Sequence, residues 1–127
     1  MNEPNWLLNE AVLIAHEISL ANFGGNDGIR DVALLESALG RPRHLFAYSE
    51  PTLHQLAAAY TFGIVKNHPF VDGNKRTGFL AGATFLEING LKLTVSEIGA
   101  TGIIVDVAAS EVSEEVLAQW FEQNTSP

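Results

Sequence analysis

Leu53, Leu56, Ala57, Tyr60 and Ile64 follow the i, i+3, i+4, i+7, i+11 spacing of a helix with one buried face. Thr52 and Gln55 stand where a capping box starts such a helix, each side chain taking one orphan N–H. Pro69 stops it by residue 67 or 68, because a residue before proline avoids the helical region. After the following loop, residues 75–89 are apolar nearly all round, with Phe79, Leu80, Ala81, Ala83, Phe85, Leu86 and Ile88. A helix of that kind belongs in the middle of a bundle. Gly78 and Gly82 are four apart, so one of its faces is open to close approach by a neighbour, and Asn89-Gly90 ends it.

Weaker patterns fill the rest. Residues 6–22 predict a first helix whose apolar positions, among them Trp6, Leu7, Val12, Leu13 and Leu20, are only loosely periodic. Gly24-Gly25 ends it and residues 26–28 turn. A second helix is predicted over 31–39, with Asp31 as N-cap, Leu34, Leu35, Ala38 and Leu39 as its stripe, and Gly40 closing it. Residues 41–51 then read as an irregular connection with two prolines and several aromatics, long enough to suggest a functional loop. A short extended piece at 91–95 precedes a β-branched, glycine-containing helix over 97–109. Ser113 caps a last helix, with Glu114 and Glu115 at its positive end and Val116, Leu117, Trp120 and Phe121 on its apolar face. Residues 124–127 are expected to fray. The expectation is one domain over 1–127: all-α, a compact bundle of about six helices.

Composition narrows the function. At 127 residues with 46% hydrophobic positions and mean hydropathy +0.12, the chain can bury a core of its own. It has no cysteine, which excludes disulfides and thiolate metal sites and fits a reducing cytoplasm. The net charge is −8, and seven Lys plus Arg leave little for a basic face, so a nucleic acid polymer is not an expected partner. A nucleotide remains open, because a phosphate needs only a local positive pocket. Residues 1–5 lack a basic n-region, and the apolar stretch from 77 to 86 is far short of a membrane span, so a cytoplasmic protein is expected.

The chemistry concentrates in His68-Pro-Phe-Val-Asp-Gly-Asn-Lys-Arg76. This loop feeds the mouth of the apolar helix, where free N–H groups and the helix dipole favour an anion. Gly73 removes a side chain where a ligand would approach the backbone. Lys75 and Arg76 are badly placed for the dipole unless an anion sits between them and it, which a phosphate chain would do. Asp72 offers a hard oxygen beside that position, suited to magnesium shared with phosphates. His68 supplies an imidazole, a group that can take a proton from an attacking hydroxyl. Phe70 is expected to plug into the core and pin the loop, and Asn74 can bond either the loop backbone or a phosphate oxygen. Each residue alone also fits a plain loop with an N-cap and solvated charges. No Walker A pattern occurs.

His68-Pro-Phe-Val-Asp-Gly-Asn-Lys-Arg-Thr77 resembles the signature of the Fic/Doc superfamily, and specifically its death-on-curing (Doc) branch. Gly24-Gly25, Gly28, Arg30-Asp31, Leu34-Leu35-Glu36-Ser37-Ala38, Arg41-Pro42 and, after the motif, Phe85-Leu86 and Asn89-Gly90 are similar to that branch too. The resemblance implies the all-α Fic fold and chemistry on ATP with Mg2+. It makes His68 the residue that activates a target hydroxyl and Asp72 the metal holder. Catalysis would rest on His68, Asp72, Asn74, Lys75 and Arg76. Nucleotide binding would rest on Phe70, Gly73, Asn74, Lys75 and Arg76. AMP-transferring members read H-P-F-x-[DE]-G-N-G-R, and Lys75 replaces the second glycine here. In the Doc branch that replacement goes with transfer of the γ-phosphoryl.

The resemblance therefore implies a toxin kinase of a toxin–antitoxin module that acts on a hydroxyl of elongation factor Tu and blocks translation. AMP transfer is the alternative, and a catalytically idle partner-binding module is a third reading. No inhibitory [ST]-x-x-x-E-[GN] segment occurs: Ser110 and Glu114 have the spacing, but Glu115 follows. Restraint is then expected from a separate antitoxin. The 41–51 connection, with Arg41 and Arg43, is either a contact for target or antitoxin or a plain connector. His16 and His54 fit surface or packed helix positions, His44 stays open, and Trp6, Trp120 and Phe121 fit the core.

Overall fold

A computed structural model describes residues 2–127. Six helices carry the fold: α1 Asn9–Phe23, α2 Val32–Tyr48, α3 Leu53–Asn67, α4 Asn74–Ile88, α5 Glu97–Ala108 and α6 Glu114–Gln123. Two short strands, β1 Lys92–Leu93 and β2 Thr125–Ser126, pair antiparallel with Lys92 opposite Ser126 and Leu93 opposite Thr125.

The central element is α3, which packs on α2, α4, α5 and α6 and buries nine of its residues. It starts as the sequence predicts: Thr52 Oγ1 accepts the Gln55 N–H, and the Gln55 side chain accepts the Thr52 N–H. The glycines of α4 let it lie directly against α3. A methyl at Gly78 would stand 2.8 Å from Val65 Cγ2 and 3.1 Å from the Thr61 carbonyl. One at Gly82 would overlap Thr61 Oγ1 and press on the Ala57 carbonyl. Thr61 Oγ1 donates to the Gly78 carbonyl at 2.7 Å, a buried polar tie between the two backbones.

Three expectations are corrected. The first helix begins at Asn9 rather than at residue 6. Trp6 and Leu7 are used as plugs instead: Trp6 meets Phe46 edge-on at 5.6 Å, and the Leu7 N–H donates to Tyr60 Oη. The second helix does not stop at Gly40; it runs through Gly40 and Pro42 to Tyr48. A proline inside a helix removes one hydrogen bond and costs roughly 3 kcal/mol. Here Pro42 is buried, Leu45 and Phe46 pack on the core, Arg43 lies over Trp6 and Arg41 pairs with Glu114. Those contacts outweigh the local preference, and the long 41–51 loop does not exist. Last, the tail does not fray: residues 125 and 126 pair with β1, and Thr125 Oγ1 lies 3.0 Å from His54 Nε2. Among the described residues, no helix is long and apolar enough to cross a membrane.

Candidate active site

The turn from α3 to α4 is built by short-range bonds. α3 closes on His68, which takes the left-handed conformation at φ 51° and ψ 54°. Pro69 cannot continue the helix, and the chain descends so that Phe70 is fully buried. Phe70 stacks on the His16 ring at 3.9 Å with an interplanar angle of 11°. Asn74, itself buried, clamps the same residue: its Oδ1 accepts the Phe70 N–H and its Nδ2 donates to the Phe70 carbonyl, both at 2.9 Å. On the other side, Ile29 and Phe70 form an isolated antiparallel bridge, and the Val71 N–H donates to the Gly28 carbonyl.

This geometry divides the residues singled out from sequence into two groups. Phe70 and Asn74 hold the loop from beneath. Phe70 has no exposed surface for a nucleotide, so its part in the site is that of an anchor, not a contact. Of the two uses open to Asn74, the structure shows the first: Oδ1 and Nδ2 each make one bond to the loop backbone. His68, Asp72, Gly73, Lys75 and Arg76 line one open cleft of about 420 Å³, together with Val65, Lys66 and Ala108 from neighbouring helices, and Asn74 also forms part of its wall.

Asp72 is held through both its side chain and its backbone. Its Oδ2 accepts the Asn26 N–H at 2.7 Å, and its carbonyl lies 2.8 Å from His16 Nε2. A carbonyl can only accept, so the His16 proton is assigned to Nε2. Gly25 is needed for the same approach: a Cβ there would sit 3.0 Å from Asp72 Cβ. Among the described residues no group of three metal-ligating side chains exists. The one carboxylate still suits magnesium, which is commonly held by one or two carboxylates with phosphate oxygens and water completing its shell.

Beyond Asp72 the cleft ends on the N-terminus of α4. Gly73 is its N-cap at φ 82°, a region that glycine enters at little cost, and no side chain caps the helix. The first intrahelical bond runs from the Thr77 N–H to the Gly73 carbonyl, so the N–H groups of 74–76 precede the ladder. Arg76 folds back over the Phe23 ring, 3.2 Å from its centroid, which ties the end of α1 to the first turn of α4. Three of the seven Lys and Arg of this acidic chain, Lys66, Lys75 and Arg76, border the one cleft. The site is thus locally positive within a chain of net charge −8. A smaller cavity of about 170 Å³ shares Lys75 and Arg76 and is otherwise walled by α4 and α5, with Phe79, Ala100, Ile104 and Val105.

Known proteins share this arrangement of sequence. The sequence model of the Fic/DOC family matches residues 6–86. The chain belongs to the Fic/DOC family. It is 44% identical over 92 residues to "Toxin Doc" of Mycolicibacterium smegmatis, covering 69% of this chain and 67% of that one. It is 31% identical over 110 residues to "Protein kinase doc" of Escherichia phage P1, covering 86% of each. The family match spans α1 to most of α4, which includes every element that shapes the cleft except α5.

The sequence pointed to the loop but not to its supports. His16 was expected only as a surface or packed residue; it is packed, and its packing is against the loop. Its one available signal was its place on the Val12, His16, Ser19 face that α1 buries. Asn26 acts through its backbone N–H, which carries no sequence signal at all. Arg41 and Arg43 lie on α2 rather than on a loop: Arg41 is ion-paired with Glu114 and Arg43 lies over Trp6.

Proposed function

We propose that this Fic/DOC protein is the toxin of a toxin–antitoxin module and transfers the γ-phosphoryl of ATP to a hydroxyl of a protein, elongation factor Tu being the expected target. One observation carries the reading: His68, Asp72 and the uncapped, doubly cationic N-terminus of α4 face a single cleft. A triphosphate at that terminus meets the free N–H groups of 74–76, Lys75 and Arg76. The neighbouring apolar cavity gives a nucleoside somewhere to lie. His68, exposed at the rim, takes the proton of the target hydroxyl as its oxygen bonds to the γ-phosphorus. The bond from that phosphorus to the β–γ bridging oxygen breaks and ADP leaves, its developing charge met by Lys75 and Arg76. Asp72 would hold magnesium, which neutralises phosphate charge when bound.

Lys75 favours phosphoryl over nucleotidyl transfer, since its side chain stands where AMP-transferring members have a glycine. The name "Protein kinase doc" of the phage relative supports the same choice. A separate antitoxin would restrain the toxin, a reading supported by the name "Toxin Doc" of the mycobacterial relative.

ATP labelled on either the γ- or the α-phosphate, incubated with the protein and a bacterial extract, tests this. The γ-label should reach a protein band, and His68→Ala should abolish it. Asp72→Asn should cut the rate on the order of a hundredfold at low magnesium, with partial recovery as magnesium rises. Transfer of the α-label would replace the reading with AMP transfer.

A further inference from the structure

No hydrogen bond or ring contact reaches the His68 imidazole among the described residues. The ring is exposed, so only its backbone aims it. That backbone is held in an unusual way. Three successive carbonyls, of Asn67, His68 and Pro69, all accept from the segment preceding α2. Arg30 Nη2 donates to the Asn67 carbonyl at 3.0 Å and Arg30 Nε to the His68 carbonyl at 2.7 Å. The Arg30 and Asp31 N–H groups both donate to the Pro69 carbonyl, at 2.7 and 3.0 Å. Asp31 is fixed in turn, because its side chain caps α2 by accepting the Leu34 N–H. Asn67 is tied to the same helix through its Nδ2, which donates to the Leu34 carbonyl.

His68 sits at φ 51°, where non-glycine residues persist only if their surroundings over-determine them. Arg30 supplies that determination from the side away from the cleft. We infer that Arg30 is the positioning residue of His68: its guanidinium fork sets the peptide planes that flank the histidine and so aims the imidazole at the substrate hydroxyl. This rests on the reading of His68 as the base. The alternative is that Arg30 is merely a cation at the C-terminus of α3, which stabilises the helix dipole. A lysine would serve that purpose. It would not serve a fork, since an ammonium is a point donor and cannot span two carbonyls in fixed geometry.

Arg30→Lys and Arg30→Met separate the two. In Arg30→Met, kcat for phosphoryl transfer should fall on the order of tenfold or more, because small misplacements of a reacting group are costly. KM for ATP should stay within about twofold, because Arg30 does not face the phosphate site. Arg30→Lys should regain the wild-type melting temperature but not kcat. Wild-type kcat in Arg30→Lys overturns the proposal, as does a KM rise that accounts for the whole loss. If Arg30→Met does not fold, Arg30→Lys carries the test alone.

A second readout does not depend on activity. The chain has four histidines, and their ring C–H correlations can be followed by NMR, with His68 assigned through His68→Gln. In Arg30→Lys the His68 signal should split or broaden while His16, His44 and His54 keep theirs. An unchanged His68 signal overturns the proposal. If the wild-type protein transfers nothing, the reading of function fails, and this spectrum still decides whether Arg30 sets His68.

Discussion

Replacing Asn74 by alanine should destabilise the whole protein, not only its cleft. The amide makes two buried hydrogen bonds of 2.9 Å to the backbone of Phe70, a residue with no exposed surface. Alanine leaves one N–H and one C=O unpaired, and each buried orphan costs about 1–3 kcal/mol. Better helix propensity returns no more than about 0.7 kcal/mol. The net loss is therefore about 1.5–5 kcal/mol, against a total stability on the order of 6–19 kcal/mol for a chain of this length. In urea, with a slope of about 1–3 kcal/mol per molar, the midpoint should drop by about 0.5–5 M and the slope should hold. Equilibrium unfolding without any nucleotide is the assay. Were Asn74 only a phosphate ligand, the nucleotide-free midpoint would not move and just the stabilisation by added ATP would shrink. A midpoint within about 0.3 M of wild type would refute the clamp.

Two further outcomes follow from packing and charge. Gly82→Ala should cost about 1–3 kcal/mol, because the new methyl meets the buried Thr61 side chain and the Ala57 carbonyl, neither free to retreat. Gly102→Ala, with open space around it in α5, should instead gain about 0.4–1 kcal/mol; paired thermal melts check both, and a higher melting temperature for Gly82→Ala would refute the close contact. Burial pushes the Glu114 carboxyl above the ordinary carboxylate range, against the opposing pull of Arg41. The folded state therefore binds the extra proton in the window from the ordinary glutamate value, about 4.3, up to the raised one, and stability falls as pH rises through it. Glu114→Gln should lack that fall, so its stability relative to wild type should rise from pH 4 to pH 7; a relative decline over that range contradicts the sign.

How far the sequence could be read depended on the range of the forces involved. Where a local rule and the packing agree, as at Thr52 and Gln55, Asp31, Ser113 and the Gly78–Gly82 pair, the prediction and the structure coincide. Gly40 and Pro42 show the opposite case. Their local preference says stop, but the helix is carried through by contacts to residues far along the chain, Trp6 and Glu114 among them. The tail likewise pairs with a strand more than thirty positions earlier, which no short-range pattern announces. In the site, the residues singled out fall in nine consecutive positions, and the structure brings His68, Asp72, Lys75 and Arg76 to one cleft. Their supports were not: His16 reaches the loop only because α1 lies under it, and Asn26 and Gly25 act through backbone and the absence of a side chain.

Phosphoryl transfer is tested most directly by the intact mass of purified elongation factor Tu after incubation with this protein and magnesium-ATP. The expected result is a gain of one phosphoryl group, abolished by His68→Ala. A gain of one adenylyl group, or no gain with a protein shown to be folded, would contradict it.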